Sequence, residues 1–494
     1  MQKKQLTLVI VSLLVVVLSV SLAYFTAQII GKGKNVSVTS ANLQIVFTDS
    51  DGAISGSNIE PGWSDTKTFT IKNDTKTEYK YNIVIKDLLN TFVTNGYLQY
   101  KITSTNGGYN MTEFKDVPKS SVATDTILAY SVVIPNGVTQ SYTIEFKYAN
   151  DESVDQSIDM GKKLSGTLFI TEGTEEPTLL AQLLVDKSTV LTRTDFSTVL
   201  TTDNTNTLYT STEDSKTVYY FAGNATDNWV KFGKNASNQD LYWRIIRTNS
   251  DGSVRLLYHG TSTTATDAYI GISVFNSSAD NIAYVSYMYG STGSITNARK
   301  NTNNSTIKTI IDNWYVANLN TNYGKYLSTT AVYCNDRSTS DNKYFGAYTR
   351  LYTNKIPTYD CTTTEDKFTV DTSTGNGKLT YPIALMTADE VSFSGGIMST
   401  NAATWYYYNS ANGSSTSSTL WWLLSPSSWS VGYASVFSVG GSFFPGFLDK
   451  DNGNVSSRGS VRPAISLKSC IKYSTGNGSA SDPYEIVLDP DISC

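Results

Sequence analysis

Residues 241–257 read LYWRIIRTNSDGSVRLL, and this stretch shows most plainly how the C-terminal half of the chain folds. Two runs of apolar, aromatic and β-branched residues flank Asn-Ser-Asp-Gly at 249–252, residue types that favour tight turns. The pattern predicts a β-hairpin with strands over 241–246 and 254–257. A further run, Val-Tyr-Tyr-Phe at 218–221, predicts another strand before the hairpin.

Helices are predicted at two places after this hairpin. Ser305 and Thr306 cap a run that carries apolar residues at helical spacing, namely Ile307, Ile310, Ile311, Trp314 and Tyr315. The stretch Thr-Ala-Asp-Glu-Val at 387–391 predicts the start of a second, short helix. Strands mixed with a few helices make residues 216–494 an α+β domain by pattern.

The segment over residues 32–172 shows a different pattern. Apolar and polar residues alternate in Thr-Lys-Thr-Phe-Thr-Ile at 66–71, Tyr-Asn-Ile-Val-Ile at 81–85 and Tyr-Thr-Ile-Glu-Phe at 142–146. Alternation with period two, interrupted by Asn, Gly and Asp, predicts the short strands of a β-sandwich. The fold class expected for the chain is therefore mainly β, with an α+β C-terminal domain.

A linker is expected over residues 173–215. It begins in an acidic stretch with Gly and Pro, Glu-Gly-Thr-Glu-Glu-Pro at 172–177, which lacks apolar periodicity. Residues 178–186 predict a short amphipathic helix, and the Thr- and Asn-rich residues 193–213 predict a loop.

The N-terminal residues 1–31 predict on which side of the cell membrane the protein lies. Lys3 and Lys4 precede an uncharged apolar run over 6–25 that is long enough for a membrane-spanning helix. The lysines favour the cytoplasmic side, so the rest of the chain is expected outside the cell. A signal peptide cleaved before Tyr24 is the alternative, and the sequence leaves both open.

The composition excludes several functions. The 494 residues include 38 Lys and Arg, 43 Asp and Glu and a single His, with a net charge of -5. This mild negative charge gives no electrostatic footprint for nucleic acid. One imidazole, His259, excludes histidine-cluster metal sites, and we expect it to be structural. No cofactor is expected.

Four cysteines, Cys334, Cys361, Cys470 and Cys494, lie in the C-terminal half without a CxxC pair, a spacing that is wrong for zinc. Outside the cell they can form disulfides. Cys334 with Cys361 and Cys470 with Cys494 is one of three possible pairings, and unpaired cysteines are the alternative.

The N-terminal part resembles the camelysin/TasA-type exported proteins of Gram-positive bacteria over residues 1–172. The resemblance rests on Ala-Tyr-Phe-Thr at 23–26, Ile-Glu-Pro-Gly at 59–62 and Lys-Thr-Phe-Thr-Ile-Lys-Asn at 67–73. It implies a jelly-roll-like β-sandwich, export and, in some relatives, assembly into surface fibres.

The C-terminal part resembles bacterial surface domains with a C-type-lectin-like fold, related to the formylglycine-generating-enzyme/sulfatase-modifying group. The resemblance rests on blocks spread over 228–467, including Tyr-Trp-Arg-Ile-Ile-Arg at 242–247, Trp-Leu-Leu-Ser-Pro at 422–426 and Val-Arg-Pro-Ala-Ile at 461–465. The last two blocks also resemble the scaffold of diversity-generating-retroelement variable proteins. That likeness implies ligand-binding residues before the Arg-Pro motif. The enzymes of the group need two active-site cysteines that have no equivalent here, so no enzyme activity is expected.

The candidate binding segment is therefore 427–458. Its turn-rich sequence carries aromatic and polar residues suited to recognition: Trp429, Tyr433, Phe443, Phe444, Phe447, Asp449, Asp451 and Asn454. The alternative is that half of the aromatic residues fill the core. Five neighbouring residues are expected to be scaffold: Trp422, Ser425, Pro426, Arg462 and Pro463. Asp449 and Asp451 are a weak calcium candidate, and a polar turn is the favoured interpretation.

These features together predict a bacterial cell-surface protein, adhesin- or receptor-like, that displays a C-type-lectin-like domain. Its expected partner is an unknown protein or carbohydrate ligand, and the membrane if the N-terminal helix is uncleaved. The alternative is a structural subunit of an extracellular fibre or biofilm matrix that assembles through its β-sandwich.

Overall fold

A computed structural model describes residues 36–37, 43–47, 53–55, 59–94, 96–265, 268–339, 343–398, 400–402, 420–441, 445–450, 453–489 and 492. The chain divides into two compact units, Met1–Glu176 and Pro177–Cys494. Strand accounts for 42% and helix for 14% of the structure, so the prediction of a mainly β protein is confirmed.

The N-terminal unit consists of two antiparallel sheets. Its strands are β1 Val36–Ser37, β2 Leu43–Phe47, β3 Ala53–Ser55, β4 Ser64–Asn73, β5 Tyr79–Asn90, β6 Leu98–Ser104, β7 Lys115–Asp116, β8 Ser120–Ile134, β9 Thr139–Tyr148 and β10 Leu164–Glu172. The larger sheet has the order β1-β2-β4-β9-β6-β7, and the smaller sheet has the order β3-β10-β5-β8.

One hydrophobic core serves both sheets. Period-two alternation turns every second side chain of β4 and β9 inward, which buries Phe69, Tyr142 and Ile144. Phe69 and Tyr142 lie directly opposite each other on the two strands, and their rings stack at 5.0 Å between centroids. Val84 and Ile85 of the smaller sheet belong to the same core. The two layers expected of a β-sandwich are thus present.

The C-terminal unit has strands that are shorter and more numerous. They are β11 Thr189–Thr192, β12 Asp203–Asn204, β13 Thr207–Glu213, β14 Lys216–Tyr220, β15 Asn224–Ala225, β16 Trp229–Lys234, β17 Asp240–Thr248, β18 Val254–Gly260, β19 Ile272–Val274, β20 Met288–Tyr289, β21 Asn303–Asn304, β22 Tyr333–Cys334, β23 Lys367–Phe368, β24 Ile383–Leu385, β25 Trp421–Ser430, β26 Tyr433–Val439, β27 Leu448–Asp449, β28 Arg458–Ser460, β29 Pro463–Leu467, β30 Tyr473–Thr475 and β31 Tyr484–Ile486.

Its helices are α1 Leu179–Asp186, α2 Ile295–Ala298, α3 Thr306–Asn318, α4 Asn320–Tyr323, α5 Gly346–Tyr348 and α6 Ala388–Phe393. Two sheets organise these elements. The larger sheet has the order β11-β13-β14-β17-β16-β31-β30. In addition, β18 pairs with β17, β29 pairs with β18, and β24 pairs with β29. The second has the order β19-β28-β25-β26-β27.

The sequence signals for the hairpin and the helices are confirmed. Strands β17 and β18 pair antiparallel across the predicted turn. Helix α3 begins after Ser305, whose hydroxyl accepts a hydrogen bond from the Lys308 backbone N–H. Helix α6 begins after Thr387 in a capping box. The Thr387 hydroxyl accepts a hydrogen bond from the Glu390 backbone N–H, and the Glu390 carboxylate accepts one from the Thr387 backbone N–H. Local residue chemistry therefore places these elements correctly.

The short helix predicted over 178–186 is confirmed as α1, but the rest of the predicted linker over 173–215 is wrong beyond residue 176. Leu179 and Leu183 of α1 are buried in the core of the C-terminal unit. The Thr-rich stretch over 193–213 contains β13, which pairs in parallel with β11 just before the stretch. Threonine is β-branched and forms strands as readily as it fills loops, so its abundance did not distinguish the two.

The predicted N-terminal leader, residues 1–31, lies outside the described residues. Among the residues with a described position, no helix is long and apolar enough to cross a membrane.

A buried carboxylate, Glu390, connects the two strands of the hairpin to α6. It accepts hydrogen bonds from Arg247 at 2.9 Å and from Arg255 at 2.7 Å, and Arg247 also reaches Glu213 at 2.8 Å. Burial alone raises the pKa of Glu390, but the guanidinium charges of Arg255 and Arg247 outweigh it and lower the pKa to about 2. The carboxylate is therefore ionised at neutral pH.

Replacement of Glu390 tests this ion-pair cluster. Glu390→Gln leaves two buried guanidinium groups without their shared charge, and we expect the free energy of unfolding to fall by about 3–5 kcal/mol in urea titrations at pH 7. Glu485→Gln is the control, because Glu485 pairs with Lys231 at 2.7 Å on the surface, where such pairs contribute about 0–1 kcal/mol.

The difference in stability between the wild-type protein and Glu390→Gln should depend on pH. A depressed carboxyl pKa stabilises the fold above the unfolded-state pKa of about 4.3, and the contribution is lost as the pH falls towards 2. The stability gap between the wild-type protein and Glu390→Gln should therefore narrow between pH 5 and pH 2. A gap that stays constant over this range would contradict a lowered pKa for Glu390 in the folded protein.

Candidate functional site

The first part of the predicted binding segment forms the hairpin of β25 and β26. Ser430 lies opposite Tyr433 across the hairpin, and Trp429 lies opposite Ala434. Val431 occupies the tip, where 98% of its surface is exposed. The segment thus presents a turn to solvent while the strands behind it remain in the sheet.

The predicted binding residues divide into exposed and inward-facing groups. Tyr433 is 37% exposed, Trp429, Phe447 and Asn454 are half-buried, and Asp449 is buried. Val436 and Val439 are fully buried, as the alternative of a partly core-filling segment predicts. Three of the predicted residues lie outside the described residues: Phe443, Phe444 and Asp451.

Trp429 and Tyr433 point to opposite sides of the sheet. Tyr433 pairs with Ser430 and therefore shares its side, whereas Trp429 is adjacent to Ser430 and faces the other side. On that side Trp429 packs against the main hydrophobic core. Trp429 and Tyr433 therefore do not share one face, because strand pleating separates them.

The calcium candidate and Asn454 have local structural roles. Asp449 is buried in β27 opposite Ser438. Across the described part of the chain, no three His, Cys, Asp or Glu side chains come together as a metal site. The Asn454 side chain accepts hydrogen bonds from the backbone N–H and the hydroxyl of Ser456, at 3.0 and 2.8 Å. Asn454 therefore closes a turn.

The five residues expected to be scaffold are all buried: Trp422, Ser425, Pro426, Arg462 and Pro463. The Trp422 indole donates to the Ser273 carbonyl at 2.9 Å. Arg462 donates to the Tyr258 carbonyl at 3.2 Å, as expected of a residue that holds backbone carbonyls, and its guanidinium lies 4.8 Å from the Trp421 ring centroid. Arg462 thus contacts both sheets of the unit, whereas the Trp422 bond lies within the second sheet.

Two of the cysteines form one of the disulfides left open by the sequence. Cys334 and Cys361 are joined, 27 residues apart, and enclose the segment between them as a loop. Cys470 is also disulfide-bonded, and Cys494 lies outside the described residues.

The lone histidine is inaccessible to any substrate. His259 is fully buried, and its ring meets Trp229 edge to face at 4.3 Å. Burial, together with the nearby charges of Arg244 and Arg462, lowers the pKa of His259 well below its ordinary value. A neutral imidazole in the core is a structural residue.

The most distinctive surface feature was not predicted. Tyr344, Tyr348 and Tyr352 lie four residues apart along α5 and the π-helical turn Thr349–Asn354 that follows it. The first two rings stack at 3.9 Å and 17°, and the third lies 5.2 Å beyond. We call these three residues the tyrosine ladder. Their spacing in YFGAYTRLY at 344–352 was visible in the sequence as a helical i, i+4, i+8 pattern.

Lysine side chains surround the ladder. Three ammonium groups lie over its rings, at 5.0 to 5.5 Å from the centroids: Lys343, Lys355 and Lys450. Such cation–π contacts hold the rings in place while keeping the charges near solvent. Hydrogen bonding with Lys343 and with Tyr348 lowers the pKa of the Tyr344 phenol.

The ladder is attached to the edge of the β25–β26 hairpin. Tyr344 forms an antiparallel bridge with Ser428, and the Trp429 N–H donates to the Lys343 carbonyl at 2.7 Å. Directly paired residues share one side of a sheet, so Tyr344 and Ser428 point the same way. Tyr433 lies on that side as well, because it pairs with Ser430, which is two residues from Ser428 on the same strand. Tyr433 and Tyr344 therefore lie on the same side of this sheet.

Arg350 fixes the ladder to the core. Its guanidinium binds both carboxylate oxygens of Asp389, at 3.1 and 3.0 Å, and Asp336 at 2.6 Å. Asp389 also accepts the Thr358 backbone N–H at 3.1 Å. Because Asp389 precedes Glu390 in α6, one helix turn holds both the ladder and the central hairpin.

Two cavities are lined by described residues. The cavity beside Arg350, Asp389 and the Cys334–Cys361 disulfide measures about 20 Å³, which is room for about one water molecule. A larger cavity of about 540 Å³ lies in the N-terminal unit, where its buried carboxylate, Asp159, is engaged by the Tyr148 hydroxyl and the Val93 N–H.

Comparison of the chain with protein-family models, with curated proteins and with solved structures finds no match.

Removal of the Arg350 guanidinium tests how the ladder is held. Arg350→Met leaves the carboxylates of Asp336 and Asp389 buried without their cation, so we expect the free energy of unfolding to fall by about 3 kcal/mol in urea titrations. Lys355→Met is the control, because it removes a nearby positive charge that forms a ring contact only. Equal stability losses in the two variants would contradict the proposed role of Arg350.

Proposed function

We propose that this chain is a bacterial cell-surface ligand-binding protein whose C-terminal, C-type-lectin-like unit binds its partner through the ladder face. The ladder face comprises the tyrosine ladder, its three lysines, Tyr433 and Val431. The observation that carries the proposal is a preorganised stack of three tyrosine rings that runs from the core to the surface: Tyr348 is buried, Tyr344 is half-buried and Tyr352 is 46% exposed. Tyrosine supplies a large contact area with few rotatable bonds, so little entropy is lost when a partner binds.

Rigidity of the ladder face supports recognition. The segment that carries the ladder is closed by the Cys334–Cys361 disulfide and held by Arg350 on Asp389. A surface that is already ordered before binding loses little conformational entropy when the partner binds. Disulfide bonding and the apolar N-terminal run both favour a position outside the cell.

Ladder variants test the proposal on intact cells. Purified, fluorescently labelled full-length chain in detergent is incubated with bacterial and epithelial cells, and the bound fraction is measured. Tyr352→Ala and Tyr433→Ala should each weaken binding about tenfold, which is typical of an aromatic residue at the centre of an interface. Tyr289→Ala, whose ring packs on Tyr284 away from the ladder, is the control. Binding that survives both ladder substitutions would overturn the assignment of the face.

A fibre subunit is the second candidate, and strand β8 favours it. β8 is 15 residues long and forms an edge of the smaller sheet, pairing within the described residues with β5 on one side only. Residues 121–125 are exposed, including Val122 at 70%. Long edges without lysine or proline invite pairing with another chain, and β8 contains neither.

Electron microscopy of the purified chain tests the fibre. Filaments formed without a partner would support it, and Val122→Lys should then suppress them by placing a charge on the β8 edge. Val190→Lys on β11, an exposed edge strand of the other unit, is the matched control. A wild-type chain that stays monomeric on gel filtration at high concentration would exclude the fibre.

A further inference from the structure

Lys187 and Asp227 form an ion pair inside the C-terminal unit, although they lie 40 residues apart in the sequence. The Lys187 ammonium donates to Oδ2 of Asp227 at 2.7 Å and to the Asp227 backbone carbonyl at 3.0 Å. The Lys187 side chain has no exposed surface, and that of Asp227 is 6% exposed. The pair is therefore shielded from solvent, unlike the partly exposed pair of Lys231 and Glu485.

The surroundings of the Lys187–Asp227 pair disfavour its charges. The ring centroids of Phe221 and Tyr484 lie 5.8 and 5.6 Å from the Lys187 nitrogen. The Tyr484 hydroxyl donates to Asp186 at 2.8 Å, so its single hydrogen is not available to Asp227. Oδ1 of Asp227 is buried and accepts no hydrogen bond from any residue whose position is described. An ion pair at this place thus carries two desolvated charges and one unsatisfied oxygen, all of which are costly.

The Asp227 carboxyl group also accepts a backbone hydrogen bond. The Asn206 N–H donates to Oδ2 at 2.7 Å. A backbone donor at this place stabilises negative charge on Oδ2, which is the charge that develops when a nucleophile adds to the carboxyl carbon. The Lys187 nitrogen already touches that carboxyl group, and a buried lysine becomes nucleophilic once it loses its proton. Nucleophile, carboxyl carbon and oxyanion donor are therefore held together in the folded chain.

We propose that Lys187 and Asp227 condense to an intramolecular isopeptide bond. The Lys187 ammonium first passes a proton to the Asp227 carboxylate, which gives the amine and the carboxylic acid, the neutral forms that a desolvated site favours. The amine nitrogen then bonds to Cγ of Asp227. One of its two protons passes to the Oδ1 hydroxyl, whose bond to Cγ breaks as water leaves. The product amide keeps Oδ2 beside the Asn206 N–H and removes both charges and the unsatisfied oxygen.

The isopeptide bond closes residues 187–227 into a loop that contains strands β11 to β15. Closure lowers the entropy of the unfolded chain, as a disulfide does. A pull on the chain that enters at Pro177, the first residue of the unit, passes from Lys187 directly to Asp227 and leaves these strands unloaded. This inference goes beyond the proposed function and is independent of the surface that binds the ligand.

A second buried pair, Lys308 with Asp312 on α3, provides a matched comparison. The Lys308 side chain also has no exposed surface, and Oδ1 of Asp312 is likewise buried without a hydrogen bond from the described part of the chain. The recorded donor to the Asp312 carboxyl group is Lys308, and no backbone N–H of a described residue joins it. Because this pair lacks an oxyanion donor, we expect it to remain ionic.

Tryptic digestion of the denatured, reduced full-length chain, followed by mass spectrometry, tests the inference. Trypsin cleaves after an unmodified lysine, so acylation of Lys187 should block cleavage there. We expect a peptide over residues 164–193 joined to one over 217–231, with a mass lower than their sum by one water molecule. Lys187→Arg keeps the charge but cannot condense, and Asp227→Ala lacks the carboxyl group. Each change should yield separate peptides, and Lys308→Arg should leave the joined peptide intact.

The wild-type digest is decisive even if the variants fail to fold. Separate peptides, with cleavage after Lys187 and the full mass of each, would overturn the isopeptide bond and leave an ion pair. A loss of water found instead in the peptide that contains Lys308 and Asp312 would move the bond to α3 and overturn the assignment. Neither result bears on binding through the ladder face.

Discussion

The buried Glu390 carboxylate, shared by Arg247 and Arg255, is the interaction on which the C-terminal unit depends. A charge in the core is stable only with such partners, so the cluster fixes α6 against β17 and β18. The residue before it, Asp389, uses that fixed position to hold Arg350. A short helix that looks like a minor connector thereby transmits the rigidity of the sheet to the tyrosine ladder.

Local chemistry was enough to predict much of the fold. The turn at 249–252, the Ser305 cap and the capping box at Thr387 each act within a few residues, and each element lies where expected. The prediction of a linker was wrong because the burial of Leu179 and Leu183 depends on strands that are distant in the sequence. Nothing in the Thr-rich stretch itself shows that β11 will find a partner in β13.

The candidate site was harder to predict because it is assembled over long distances in the chain. The aromatic residues of 427–458 were recognised as unusual, but strand pleating sends Trp429 into the core and leaves Tyr433 outside. The ladder comes from 344–352 and meets the hairpin only through the bridge between Tyr344 and Ser428. The helical spacing of the three tyrosines was visible in the sequence, whereas their contacts with the hairpin were not.

Amide hydrogen exchange of Asp389→Asn tests the central claim most directly, because this change weakens the grip on Arg350 and leaves Glu390 in place. We expect faster exchange over residues 343–356 with unchanged protection in β17 and β18. Unchanged exchange over 343–356, or a uniform increase across the C-terminal unit, would contradict the view that α6 holds the ladder for binding.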